Sequence, residues 1–392
     1  MARLGSLKAH IGAEWASATT HCVVQNSTLY VMSSPFPFQG PLEPGDLKGR
    51  DDLVTELVKK LTARRVTALL GPRRYGKTSV LRRVGAELSE MGTVWVDLYE
   101  ASSMADIAAR FDRGLADVAD DLFARAARRV AATLSLNLGV LRVDLRGPAR
   151  DRPDPEIAFS ALLEVFVKAA LRRPTLLVVD EFSFISRVPA AAGALRTALQ
   201  HHYREIGIVF AGSQPSMMRT LFTSRSEPFY GQAELVDIGP LDLAAWEAIV
   251  SDGFAGTGRG AGPLAGLIHH FTDGHPMRSM QAADASWDLT RPRKTATAET
   301  WVDALEALRR REDEPLERIF SRFGDSEKAV LRAVAISGSV YGVEAGLLGV
   351  AGGTAANARQ RLIDSGDLVK TEAGVKVTDP MMADWLRRRF PI

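Results

Sequence analysis

Cysteine is almost absent: Cys22 is the only one in 392 residues. No intrachain disulfide can form and no cysteine-based metal site can be built. That suits a reducing cytoplasm. Long apolar runs are missing too, since none approaches the about 18 residues a membrane helix needs. The start of the chain, MARLGSLKAHIGAEWASATTHC, lacks the apolar core of a signal peptide. The expectation is a cytoplasmic protein with no membrane partner. Charge of one sign is scarce as well: 49 Lys and Arg stand against 47 Asp and Glu, a net +2. Such a balance permits a nucleic-acid partner without arguing for one. The remainder is ordinary for a globular chain, with 46% hydrophobic and 24% charged residues. At about 150 residues per domain the length suggests two or three domains.

Residues 1–45 read as a flexible N-terminal segment. The stretch SSPFPFQGPLEPGD is rich in Pro, Gly and Ser, which favours an extended linker. Met32 precedes it, so translation from Met32 and translation from Met1 are both open. From 46 to 240 apolar runs alternate with helical patterns. VTALLG, TVWVDL, TLLVVDE and GIVFAGS read as buried strands and ELVDIG as a fifth. The spacing predicts helices over DLVTELVKKLTA, GKTSVLRRVGAEL, the region 104–135, IAFSALLEVFVKAALRR and AGALRTALQHHYREI. Continuously apolar strands separated by helices imply a parallel sheet covered on both faces. Residues 241–323 are helical throughout. Residues 324–392 read as helices over SEKAVLRAVAIS, VEAGLLGV and TAANARQRLIDSG, then a hairpin turning at Glu372-Ala373-Gly374. Three helices followed by a hairpin is the order of a winged helix.

Two motifs carry chemistry. GPRRYGKTS, from Gly71 through Pro72, Arg73, Arg74, Tyr75, Gly76, Lys77 and Thr78 to Ser79, has the G-x-x-x-x-G-K-[ST] spacing of a phosphate-binding loop. It follows a predicted strand and opens a predicted helix, whose N-terminus favours an anion. Gly71 and Gly76 let backbone amides face the phosphates. Lys77 is expected at the β- and γ-phosphates and Thr78 on Mg²⁺. TLLVVDEF ends a buried strand in two carboxylates. Asp180 is placed to hold Mg²⁺ and Glu181 to polarise the attacking water. Ser213, at the tip of the next strand, either senses the γ-phosphate or caps the helix that follows. The pairs His201-His202 and His269-His270 have no partners at metal-ligand spacing and read as helix-surface or packing residues.

Together these residues resemble the AAA+-related P-loop ATPases, and within them the archaeal-type ATPases, which border the signal-transducing STAND NTPases and the origin-recognition ATPases. The resemblance rests on GPRRYGKTS, LLVVDEF, FAGSQPSMM, FYGQAELVDIGPLD and the GHP at 274–276, and spans about 45–390. It implies an α/β fold: an AAA+-like P-loop domain with a parallel sheet covered by helices, a small helical lid and a C-terminal winged helix. It also implies ATP with Mg²⁺ as the bound species, and an ATPase activity. Relatives carry Asn where Ser213 stands and often Gly-Arg where this chain has Gly231-Gln232, so no arginine role is available there. Many relatives end in a nuclease-like domain; the chain reaches Ile392 without one, and no nuclease activity is expected. For the charge-stabilising arginine, Arg278 is placed to act within its own subunit, and Arg219 or Arg225 to act on a neighbour in a nucleotide-dependent homo-oligomer.

Two couplings follow. In a winged helix the third helix enters the major groove of duplex DNA. Here it would carry Asn357, Arg359, Gln360 and Arg361, with Lys370 and Lys376 on the wing. The alternative is a switch in which ATP drives oligomerisation and the winged helix acts as a packing module with no DNA contact.

Overall fold

The alternating apolar runs form a five-stranded parallel sheet in the computed structural model, which describes residues 20–25, 28–118, 154–339, 352–372 and 374–391. Of the helical region expected over 104–135, residues 119–135 lie outside the described residues, as do the helix expected over 343–350 and Ala373 at the hairpin tip.

The sheet strands are β3 (Thr67–Leu70), β4 (Gly92–Asp97), β5 (Thr175–Asp180), β6 (Gly207–Gly212) and β7 (Glu234–Asp237). They lie in the order β4-β5-β6-β3-β7. β3, β5 and β6 are buried along their whole length, because helices cover both faces. One core packs α3 (Met104–Ala116), α4 (Pro155–Ala170), α5 (Ala191–Leu199) and α6 (Pro215–Thr223), and the other packs α1 (Asp51–Thr62) and α2 (Lys77–Glu87) on the opposite face. Local signals set the helix starts. Asp154 accepts from the amides of Glu156 and Ile157 ahead of Pro155, and Ser103 accepts from the Asp106 amide.

The order of the strands matters for function. β6 lies between β3 and β5, pairing with both. The residue after β6, Ser213, therefore emerges between the loop after β3 and the acids after β5.

Beyond β7 come the helices α7 (Leu243–Gly256), α8 (Leu264–Thr272), α9 (Pro276–Leu289) and α10 (Ala298–Ser321). α10 starts at a capping box built by Thr297 and Thr300. The C-terminal module follows: α11 (Asp325–Ser337), α12 (Gly352–Ser365), the antiparallel hairpin β8 (Leu368–Thr371) and β9 (Gly374–Val377), and α13 (Pro380–Arg389). One continuous apolar core runs through this module and the preceding helices, including Trp246, Trp287 and Trp385. No helix among the described residues is long and apolar enough to cross a membrane.

The segment read as a flexible linker is packed instead. β1 (Thr20–Gln25) and β2 (Thr28–Ser33) form an antiparallel hairpin. Residues 34–46 then run as a strap between the helical region and α2. Phe36 is 1% exposed and packs on Phe254 at a ring-centroid distance of 5.5 Å. At the other end the Leu42 amide donates to Ser79 Oγ at 3.0 Å and Arg83 donates to the Pro44 carbonyl at 2.9 Å. Prolines fix the backbone between these anchors. Composition alone does not distinguish a strap fixed at both ends from a linker free at one.

Gly253 makes the room for Phe36: a Cβ there would lie 2.5 Å from the ring. Gly253→Ala is expected to lower stability by about 1–3 kcal/mol through overpacking. With Phe36→Ala in the same chain the clash is gone, and Gly253→Ala should become neutral or gain up to about 1 kcal/mol from helix propensity. Denaturant unfolding of the four variants checks this; a penalty that survives Phe36→Ala overturns it.

Candidate nucleotide site

The phosphate loop spans the gap between β3 and α2. Its two glycines are needed for different reasons. Gly76 sits at φ +87°, where a side chain is strained, yet a Cβ would meet nothing within 4 Å. At Gly71 the constraint is space: a Cβ would lie 2.2 Å from Ile238 Cγ2 and 2.9 Å from the Ile238 carbonyl oxygen. The loop is pressed against the chain that leaves β7. Arg50 holds that chain in place by donating to the carbonyls of Gly239 and Pro240 at 2.7 and 3.3 Å. Tyr75 is 5% exposed and meets the His275 ring edge-on at 4.9 Å, tying the loop to the start of α9. Arg73 and Arg74 point to solvent, Arg73 with its guanidinium 5.7 Å from the Tyr99 ring centroid.

Lys77 is buried, and its Nζ donates to the carbonyls of Gly71 and Pro72, both at 2.8 Å. Burial lowers its pKa to about 8; Glu181 and Asp180 oppose the fall and Arg73 adds to it. Across the sheet, Thr78 Oγ1 donates to Asp180 Oδ2 at 2.8 Å, and the Glu181 amide donates to Asp180 Oδ1 at 2.9 Å. Burial raises the Asp180 pKa, against the Thr78 hydrogen bond that lowers it. Glu181 occupies the left-handed region at φ +50°, an uncommon backbone for a non-glycine residue. This turn aims its side chain at β6. Its Oε2 accepts from Ser213 Oγ at 2.7 Å and from the Ser213 amide at 3.2 Å. Ser213 is 1% exposed. Of its two sequence readings, the helix cap finds no support: the residue before α6 (Pro215–Thr223) is Gln214, which makes no side-chain cap.

Thr78 and Asp180 suit a magnesium ion. One hydroxyl and one buried carboxylate face each other, and a cation between them would offset the cost of burying that charge. Among the described residues no cluster of three or more His, Cys, Asp or Glu could hold a metal alone. A hydroxyl and a carboxylate are hard oxygen donors, the kind taken by Mg²⁺, which keeps waters and takes further ligands from phosphates.

A cavity of about 710 Å³ opens above the loop. Lys77, Thr78, Glu181 and Arg278 line it together with strap residues Phe38 and Pro41. A neighbouring cavity of about 540 Å³ lies between the strap, Tyr75 and α7. The strap and Arg50 escaped the sequence reading. Arg50 had one usable signal, an arginine directly before an amphipathic helix.

Arg278 lines the cavity, but its guanidinium is engaged elsewhere. It is 3% exposed and forms a bidentate pair with Asp379, at 2.9 and 2.6 Å. It also donates to Glu312 and Gln281, both at 2.7 Å. Arg219 pairs with Asp237 and Arg225 is exposed. His275 caps α9 through its side chain, and burial lowers its pKa to about 4.

A parallel sheet with a phosphate loop after one strand and an acid pair after another defines a P-loop nucleotide hydrolase. Residues 60–220 match the family model of the AAA domain, and this domain is the P-loop ATPase part of the chain. Its fold is similar to that of the Walker-type ATPase PABY2304 of Pyrococcus abyssi, with a TM-score of 0.64 and 16% identity, over 90% of this chain and 99% of that one. It is also similar to the ORC2 protein of Aeropyrum pernix in its ADPNP–ADP complexes, with a TM-score of 0.54 and 16% identity, over 90% of this chain and 96% of that one. No curated protein matches the sequence.

The lowered pKa of Lys77 gives a pH signature. Free Lys77 loses its proton through about pH 8. Phosphates beside the ammonium favour the charged form and raise that pKa. Above pH 8 the bound state therefore holds more protons than the free state. Binding should take up a proton there, and affinity should fall by up to about tenfold per pH unit. Calorimetry in buffers of different ionisation heat checks this; binding without proton uptake at pH 9 refutes it.

Proposed function

We propose that the chain binds ATP with Mg²⁺ over the phosphate loop, hydrolyses it, and couples the nucleotide to the docking of its C-terminal module. The observation that carries this reading is the wall of one cavity, where Lys77, Thr78 and Glu181 come together and Thr78 bonds to Asp180. These are residue types that phosphoryl transfer uses. Lys77 and the loop amides hold the phosphates. Thr78 and Asp180 hold the ion, which supplies charge neutralisation at the phosphate oxygens. Glu181 orients and polarises the water. Glu181→Gln is expected to bind ATP and lower turnover by about 10²-fold or more, the scale of a general base. Lys77→Ala should lose nucleotide binding. Wild-type turnover by Glu181→Gln overturns the role given to Glu181.

The docked-switch reading is favoured over direct DNA coupling by where the C-terminal cations go. Arg361 bonds to Glu327, Lys376 pairs with Asp273, and Arg388 pairs with Asp384. The DNA reading keeps one supporting observation: Asn357, Gln360, Arg361 and Lys370 are all exposed. Turnover measured with and without duplex DNA, at low and moderate salt, separates the two. The switch predicts no DNA effect and a change of mass or shape with a non-hydrolysable ATP analogue. Stimulation that fades with salt gives the DNA reading instead.

A further inference from the structure

Ser213 holds Glu181 from one side and meets the C-terminal module on the other. The turn that ends α12 sits directly behind it. Gly366, at φ +84°, approaches so closely that a Cβ would lie 3.1 Å from the Ser213 carbonyl oxygen. Two residues earlier, Asp364 Oδ1 accepts from Ser216 Oγ at 2.7 Å, where Ser216 lies in the first turn of α6. Gln360 donates to the same oxygen at 2.8 Å. The α12 turn is thus fixed to α6 and packed on the residue whose amide and hydroxyl hold the Glu181 carboxylate.

We propose that Asp364, acting through Ser216, and the turn at Gly366 are positioning residues for Glu181. The docked module holds Ser213 against the end of β5 and keeps Glu181 Oε2, in the cavity wall, bonded to Ser213 and not free to accept from water over the phosphate loop. When the module leaves, Ser213 is free to shift and Glu181 Oε2 is released to that water. The C-terminal module is then a brake on hydrolysis, acting through one serine. This rests on Glu181 being the group that polarises the water.

The docked and released forms are in equilibrium, and weakening the docking contact moves the population towards the active one. Losing one such hydrogen bond shifts an equilibrium by about twofold to tenfold. Ser216→Ala and Asp364→Ala are each expected to raise kcat by about that factor with KM unchanged. The double variant should exceed neither single one, because both remove the same contact. Asp364→Asn keeps an acceptor oxygen for Ser216 and should retain the wild-type kcat. In a Glu181→Gln chain none of these substitutions should change turnover. A kcat that is unchanged or lower in Ser216→Ala and Asp364→Ala, while Glu181→Gln is impaired, overturns the positioning role and leaves Glu181 its own. Wild-type turnover by Glu181→Gln removes the reading beneath both. Thermal unfolding of each variant separates release of the module from loss of the fold, since a folded chain with raised kcat is the expected result.

Discussion

Everything at this site follows from burying charge at one end of a parallel sheet. Lys77 and Asp180 are almost fully removed from water. Leaving such groups unpaired costs several kcal/mol each. The fold meets that cost with partners close at hand. Two loop carbonyls take the lysine, a hydroxyl and an amide take the aspartate, and a second hydroxyl–amide pair takes Glu181. Each group stays close to another that changes its charge balance. Lys77 has its pKa lowered and Asp180 has its raised, so both are sensitive to a polyphosphate and a cation placed between them. The strand order makes this possible. With β6 between β3 and β5, Ser213 falls within reach of Glu181.

The strap extends the same logic to the walls of the cavity. A phosphate loop alone is open to solvent on the side away from the sheet. Residues 34–46 close part of that side, with Phe36 in the core of the helical region and Leu42 bonded to Ser79 two residues past Lys77. The strap therefore connects the two bodies that flank the cavity. A shift of the helical region relative to the sheet must pull on the helix that carries Lys77 and Thr78. A proline-rich segment suits this role because it transmits displacement without coiling.

What the sequence made legible tracks how narrowly chemistry limits the choice of residue. A loop that wraps phosphates admits few patterns, so the turn from β3 into α2 at Gly71 to Ser79 could be placed directly, as could Asp180 and Glu181 at the end of β5. The alternation of apolar runs gave the parallel sheet for the same reason. Pairings over long separations left no local trace. Arg278 reads as a residue free to reach the γ-phosphate; in the structure Asp379, 101 positions away, holds it together with Glu312. The left-handed backbone of Glu181 is invisible in LLVVDEF, since only the packing of β5 against β6 demands it. Gly71 carries a constraint with no local trace: the close approach of Ile238 forbids a side chain there.

The pairing of Arg278 also bears on how the C-terminal module communicates. Asp379 sits at the start of α13 and is held below the usual carboxylate range, burial opposing and Arg278 with His275 favouring its charge. Arg278 opens α9, beside the cavity. A γ-phosphate and Asp379 would make the same demand on one guanidinium, and a bidentate fork answers one such partner at a time. The module therefore meets the site at two places, through Arg278, which lines the cavity, and through Ser213, which holds Glu181. Contacts at both places restrain the module as a body, so a change at either one alters the energy of docking at the other.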